Sequence, residues 1–219
     1  FWMLLIMTPY STKAEITGQW NFIDGLTAKI GQDLEWNFDQ GEAKFGKASD
    51  FKVKPIDGKD PMVMSFPNSN PESDFNGLDV YHGGEPNGGS DWLVNQYTII
   101  ADLYYTVRSY NKIRALVALN DFEGAQFLIG TSNGIGSSSF SGKLRPNGWY
   151  RVALTIDHVI GEFNYYIDGD FVGTEQIKQI QDDDGKYAME DVFYLFKNTS
   201  ETYGGFISSL QYRDEAVPG

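Results

Sequence analysis

Carboxylates, two histidines and a few loop aromatics are the groups in this chain with reactive or ligand-binding potential. None of the 219 residues is cysteine, which removes disulfides, thiolate zinc sites and thiol catalysis together. Cleavage of a glycosidic bond needs two carboxyl groups flanking one sugar linkage. Glu35 and Asp39, in Glu35-Trp36-Asn37-Phe38-Asp39, have the wrong spacing for that task. His82 lies in a Gly-rich stretch and His158 at the end of a β pattern. Neither has a Ser or Asp arrangement resembling a triad, so both are expected to be solvated surface residues. The chain has no phosphate-cradling Gly-rich loop and no H-x-x-x-H pattern, and a non-enzymatic role is expected.

Binding chemistry is better represented. A sugar site needs an aromatic platform with amides or carboxylates beside it, and Tyr81, Asn87, Asp91 and Trp92 supply both within one irregular stretch. Aromatics in a β-rich chain also serve as core, and that alternative stays open. Calcium takes six to eight oxygens from flexible loops. Asp182, Asp183 and Asp184 could supply some of them, as could Asp121 and Glu123; a run of aspartates is equally a solvated loop. Asn198-Thr199-Ser200 is the only N-glycosylation sequon, which marks an acceptor or a chance match.

These residues must be positioned by strands. In Trp149–Gly173, Tyr150, Val152, Leu154 and Ile156 share one face, with Arg151, Thr155 and Asp157 on the other. That is the period-two pattern of a half-buried strand. Phe163, Tyr165 and Ile167 repeat it, and Asp168-Gly169 is a tight-turn signal. Glu15–Phe22, Leu26–Trp36 around Gly31, 94–107, 113–119, 125–129, 192–196 and 206–212 read as further strands. Phe51–Ile56 and Met62–Phe66 flank the turn dipeptide Asp57-Gly58. Residues 67–90 read as the longest irregular stretch, and a loop that long is usually functional or mobile. No segment keeps a helical period, and about a dozen short strands with frequent turns favour a sandwich.

W-Y-R-V-A-L-T-I-D, then Y-Y-I-D-G-D-F-V-G, resembles the middle of a laminin-G-like (concanavalin-A-like) jelly roll, in which a Trp opens a strand and an aromatic-x-Asp-Gly turn follows on the next hairpin. Gly205–Tyr212 is similar to that family's last strand, and Asn95–Asp102 and Gly134-Ile135-Gly136 resemble bacterial members. The resemblance covers roughly residues 18–217. It implies an all-β, two-sheet antiparallel jelly-roll sandwich, one loop-bound calcium in many members, and no single function, because the fold serves lectins, hydrolases, lyases and structural modules alike. Hydrolases of this fold present Glu-x-Asp-x-x-Glu from one strand, and this chain has no such pattern.

Seventeen Lys and Arg against thirty Asp and Glu leave a formal net charge of −13. Nucleic-acid phosphates and anionic membrane surfaces are therefore disfavoured partners, and an extracellular setting is expected. The N-terminus departs from the rest: Phe1, Trp2, Met3, Leu4, Leu5, Ile6 and Met7 form an unbroken apolar run, followed by a Pro-containing linker to Lys13. The run is far short of the ~20 residues of a membrane-spanning helix. Burying seven such side chains releases on the order of 10–20 kcal/mol before ordering costs. The run can be the first strand of its own sheet, a signal or cloning remnant, or a donor strand that fills a neighbour's groove. Residues 1–13 are thus read as an appended strand and linker, and 14–219 as the sandwich. Two functional expectations follow. The leading one is a structural subunit that polymerises head-to-tail into an extracellular filament through residues 1–7. The competing one is a carbohydrate-binding module of a larger secreted protein.

Overall fold

The computed structural model describes residues 15–69, 75–119, 126–178, 185–197 and 200–217. They form fifteen strands in two sheets. In chain order these are β1 (Ile16–Trp20), β2 (Ala28–Ile30), β3 (Glu35–Trp36), β4 (Lys44–Lys47), β5 (Met62–Phe66), β6 (Leu78–Tyr81), β7 (Gln96–Tyr105), β8 (Arg114–Ala118), β9 (Gln126–Ile129), β10 (Ile135–Gly136), β11 (Gly148–Asp157), β12 (Glu162–Ile167), β13 (Asp170–Gln176), β14 (Val192–Leu195) and β15 (Gly205–Arg213). The larger sheet runs β13-β12-β11-β7-β15-β1-β2, with β5 paired to β15 and β4 to β5. The smaller runs β10-β9-β8-β14-β6-β3. All strand pairs are antiparallel. Among the described residues there is no α-helix, only 3₁₀ turns at Ala48–Phe51 and Val107–Ser109. The chain is an all-β, two-sheet antiparallel sandwich, as expected for a jelly roll. No helix among the described residues is long and apolar enough to cross a membrane.

Alternation builds the core. On β11 and β12 the inward set Val152, Leu154, Ile156, Phe163, Tyr165 and Ile167 is buried, and it meets Ile99, Ala101 and Leu103 of β7 in the same cluster. The smaller sheet closes over them with Leu78, Val80, Leu116, Phe127, Phe193 and Leu195. A cavity between the sheets, lined by Ile99, Leu103, Leu116, Leu154 and Phe196 among others, measures only about 20 Å³. That is room for about one water. A second, smaller cluster lies on the outer face of the larger sheet. There Ala48, Val53 and Val63 cover Tyr104, with Phe51, Trp149 and Phe206 packed alongside.

Before the Asp57-Gly58 turn the backbone turns at Ala48–Phe51 and lays apolar residues on the outer face. Three readings change. Residues 67–90 contain β6, whose Leu78 and Val80 face inward while Asp79 and Tyr81 stay half-buried. Gly77 and Gly83 bracket this four-residue alternation and hid it. His82 and His158 are not solvated, being 2% and 0% exposed. His82 lies against the rings of Tyr212 and Phe193. Its Nδ1 accepts a hydrogen bond from the Gly84 amide at 2.9 Å, which fixes the proton on Nε2, facing the Glu190 carbonyl. Burial holds the ring's pKa below the usual value, against the raising effects of Glu190 and Asp191.

Glu175 is a buried carboxylate that the sequence reading passed over. It accepts from the amides of Ser137 and Ser138, the Ser138 hydroxyl and the Tyr165 hydroxyl. Burial alone would raise its pKa, but these donors outweigh burial and hold it below the usual carboxylate value. Its contribution to stability is complete at neutral pH and declines as acid titrates the carboxylate.

Candidate functional site

Two surface regions combine aromatic and polar groups. The first is the loop between β6 and β7. Trp92 is 67% exposed there, and Asp91 is exposed beside it. Asn87 has another task. Its Nδ2 donates to the carbonyls of Gln96 and Asp214, and its Oδ1 accepts from the amides of Asn95 and Gln96, all at 2.8 Å. These four bonds use both amide hydrogens and both lone pairs, so Asn87 braces the loop and has nothing left to offer a sugar. Ser90 Oγ accepts from the amides of Trp92 and Leu93. Gly88, at φ +61°, brings the loop against β7 and the β11–β12 turn. A Cβ there would stand 2.7 Å from Val159 Cγ2.

Tyr81 belongs elsewhere. It extends from β6 with its hydroxyl 3.4 Å from Glu35 Oε2 on β3, and the charge on Glu35 raises its pKa. Among the described residues no hydrogen bond or ring contact joins Tyr81 to Trp92. Residues 1–7, Asp121, Glu123, Asp182, Asp183, Asp184 and Asn198 lie outside the described residues. The described residues hold no group of three or more His, Cys, Asp or Glu that could bind a metal.

The second region is a cleft of about 630 Å³ on the outer face of the larger sheet. Its floor comes from β7 and β11. Arg151 pairs across the ladder with Asp102 and grips it side-on, Nε to Oδ1 and Nη2 to Oδ2, both at 2.7 Å. Ser209 Oγ of β15 donates to the same Oδ2 at 2.7 Å. The hydrogen bonds to Asp102, then its charge and those of Asp168 and Asp57, raise the Arg151 pKa against the effect of burial. The Arg151 side chain is 62% exposed. The pair therefore contributes only about 0–1 kcal/mol to stability; what it fixes is orientation. Trp149 stands beside it, its indole N–H donating to the Lys54 carbonyl at 2.6 Å and its ring 5.4 Å from that of Tyr104.

Both rims of the cleft are Asp-Gly turns. On one side are Asp57 and Gly58, at φ 48° and 75°, closed by reciprocal Ile56–Lys59 bonds. On the other are Asp168 and Gly169, at φ 54° and 87°. Positive φ at both central residues is the type I′ signature, which suits the twist of a two-residue hairpin. Asp168 Oδ1 also accepts from the Arg151 amide at 2.8 Å, which ties the rim to the floor. Both turn dipeptides and the outward face of Arg151 are visible in the sequence. Their meeting is not, because Asp102 lies 49 residues from its partner.

No protein-family model and no curated protein matches this sequence. Solved structures do share the fold. The fourth domain of AbnA, an extracellular arabinanase from Geobacillus stearothermophilus solved with arabinotriose, is 18% identical with a TM-score of 0.51. The match covers 94% of this chain and 96% of that one. The binding domain of botulinum neurotoxin DC, solved with rat synaptotagmin II, is 12% identical with a TM-score of 0.57, over 92% of this chain and 48% of that one. Botulinum neurotoxin type C, whose cell entry depends on interaction with two ganglioside molecules, is 13% identical with a TM-score of 0.54, over 94% and 48%. This chain spans about half of each toxin chain. At these identities the likeness establishes a common two-sheet β-sandwich.

Proposed function

We propose that this chain is a non-catalytic carbohydrate-binding module of an extracellular protein, and that its glycan lies in the outer-face cleft. The observation that carries this reading is the Arg151–Asp102–Ser209 ladder, held between a fixed tryptophan and two aspartate turns. The volume suits a small ligand. Sugar hydroxyls both donate and accept, and this lining offers groups of each kind. The AbnA domain's arabinotriose and the toxin's gangliosides are consistent with a sandwich that holds glycans. Asp102 is unsuited to act as nucleophile or base, because Arg151 and Ser209 occupy its oxygens. Calorimetric titration with neutral and acidic oligosaccharides tests the reading. Binding that weakens at least tenfold in Arg151→Ala supports it. Absence of binding across the panel, or turnover of any glycan, rejects it.

The filament reading rests on residues 1–7 alone. Sedimentation of the full chain beside a chain lacking residues 1–7 decides it: polymers formed by the first and not by the second would restore assembly as the leading function.

A further inference from the structure

We infer that the cleft continues onto an aromatic subsite made by Tyr166 and Phe171, and that the ligand is a neutral glycan chain of two or more linked units rather than one acidic sugar. This rests on the module reading above.

The register places the subsite. Arg151 and Ala153 lie on the same outer face of β11, and Ala153 pairs with Tyr166 on β12. Tyr165 and Ile167 point into the core, so Tyr166 must point out. Phe171 pairs with Tyr166 on β13, and their rings meet edge to face at 5.6 Å. One strand over and two residues along, Tyr166 stands about 8 Å from Arg151 in the plane of the sheet. That is further than one sugar ring reaches. The Asp168-Gly169 rim belongs to this same hairpin, so cleft and ring pair share one rigid element. Phe171 is 58% exposed. Aromatic faces on this surface suit the apolar face of a sugar ring.

Charge sets the ligand class. Lys54 and Arg151 face Asp57, Asp102 and Asp168 in the lining, two cations against three carboxylates. Arg151 is already committed to Asp102. A glycan carboxylate would meet Asp57 and Asp168 with only the Lys54 ammonium to offset them, on a chain of net charge −13. Neutral hydroxyls meet no such penalty.

The test is titration of the full chain with neutral oligomers of one to four units built on arabinose, xylose and glucose, and with galacturonate oligomers of the same lengths. For a neutral series, affinity is expected to rise about tenfold or more from one to three units. The galacturonates are expected to bind no tighter. Phe171→Ala and Tyr166→Ala should each flatten the rise. Phe171→Ala alters an exposed side chain, so a thermal melt near that of the wild type is expected to accompany the loss. A flat response to chain length, a rise that survives both substitutions, or tighter galacturonate binding that salt weakens overturns the inference. Arg151-dependent binding with a flat length response removes this inference alone; no binding to any series removes the module reading with it.

Discussion

The Gly83–Leu93 loop and the Arg151 cleft each carry a tryptophan, and they use it in opposite ways. Trp92 is two-thirds exposed on a loop whose hydrogen bonds are spent on its own backbone and that of its neighbours. Trp149 is anchored by its indole N–H and packed on Tyr104, and the polar groups around it are side chains held in fixed directions over a concavity. The loop is built to hold a shape, whereas the cleft is built to present groups. Aromatic and amide residues crowded into one irregular stretch are therefore weak grounds for a site until it is known where the amide is aimed.

Replacing the brace should give the largest effect. Asn87→Ala leaves two amides and two carbonyls without their partner, and a loss of about 2 kcal/mol in unfolding free energy is expected. Denaturant titration measures it, and glycan affinity per folded molecule should hold. If affinity falls as steeply as stability, the two regions are not separable. Next comes the floor. Arg151→Ala should cost binding at least tenfold, while unfolding free energy moves by no more than about 1 kcal/mol. Arg151→Lys should bind almost as poorly, because an ammonium cannot make the side-on fork.

Acid should separate the regions more gently. The folded-state pKa of His82 lies below its ordinary 6.5, so the unfolded chain takes up the proton more readily. His82 therefore favours folding fully above about pH 6.5 and progressively less as pH falls through that value toward the lowered one. Protonation of Nδ1 also breaks the hydrogen bond it accepts from the Gly84 amide at the entry to the loop. Melting temperature should drop between pH 7 and 5.5, and His82→Gln should remove most of that slope. No histidine lines the cleft, so glycan affinity should change little over the same interval. The smallest effect belongs to Trp92→Ala: stability within about 0.5 kcal/mol of the parent and unchanged glycan binding. Loss of binding in this variant would move the site to the loop.

Strand identity was legible where alternation was long. Tyr150 to Ile156 and Phe163 to Ile167 announced their faces, and the register places them so. Short strands between glycines were not legible, as β6 shows. Burial of His82 was hidden because the two glycines after it suggest a surface, while the rings of Phe193 and Tyr212 that enclose it come from strands over a hundred residues away. The cleft was legible only in pieces. Asp57-Gly58 and Asp168-Gly169 were plain as turns. A one-dimensional pattern carries no information on which two turns will face each other across β7 and β11.

Those two rims share a chemical weakness. Glycine has no side chain to shield its amide nitrogen, which can attack the side-chain carboxyl carbon of the preceding aspartate and, with loss of water, close a succinimide. The ring reopens largely as isoaspartate, adding a methylene to the main chain and shifting the carboxylate. Asp57-Gly58 and Asp168-Gly169 both border the cleft, so an ageing preparation would lose definition at this surface while its interior stayed intact.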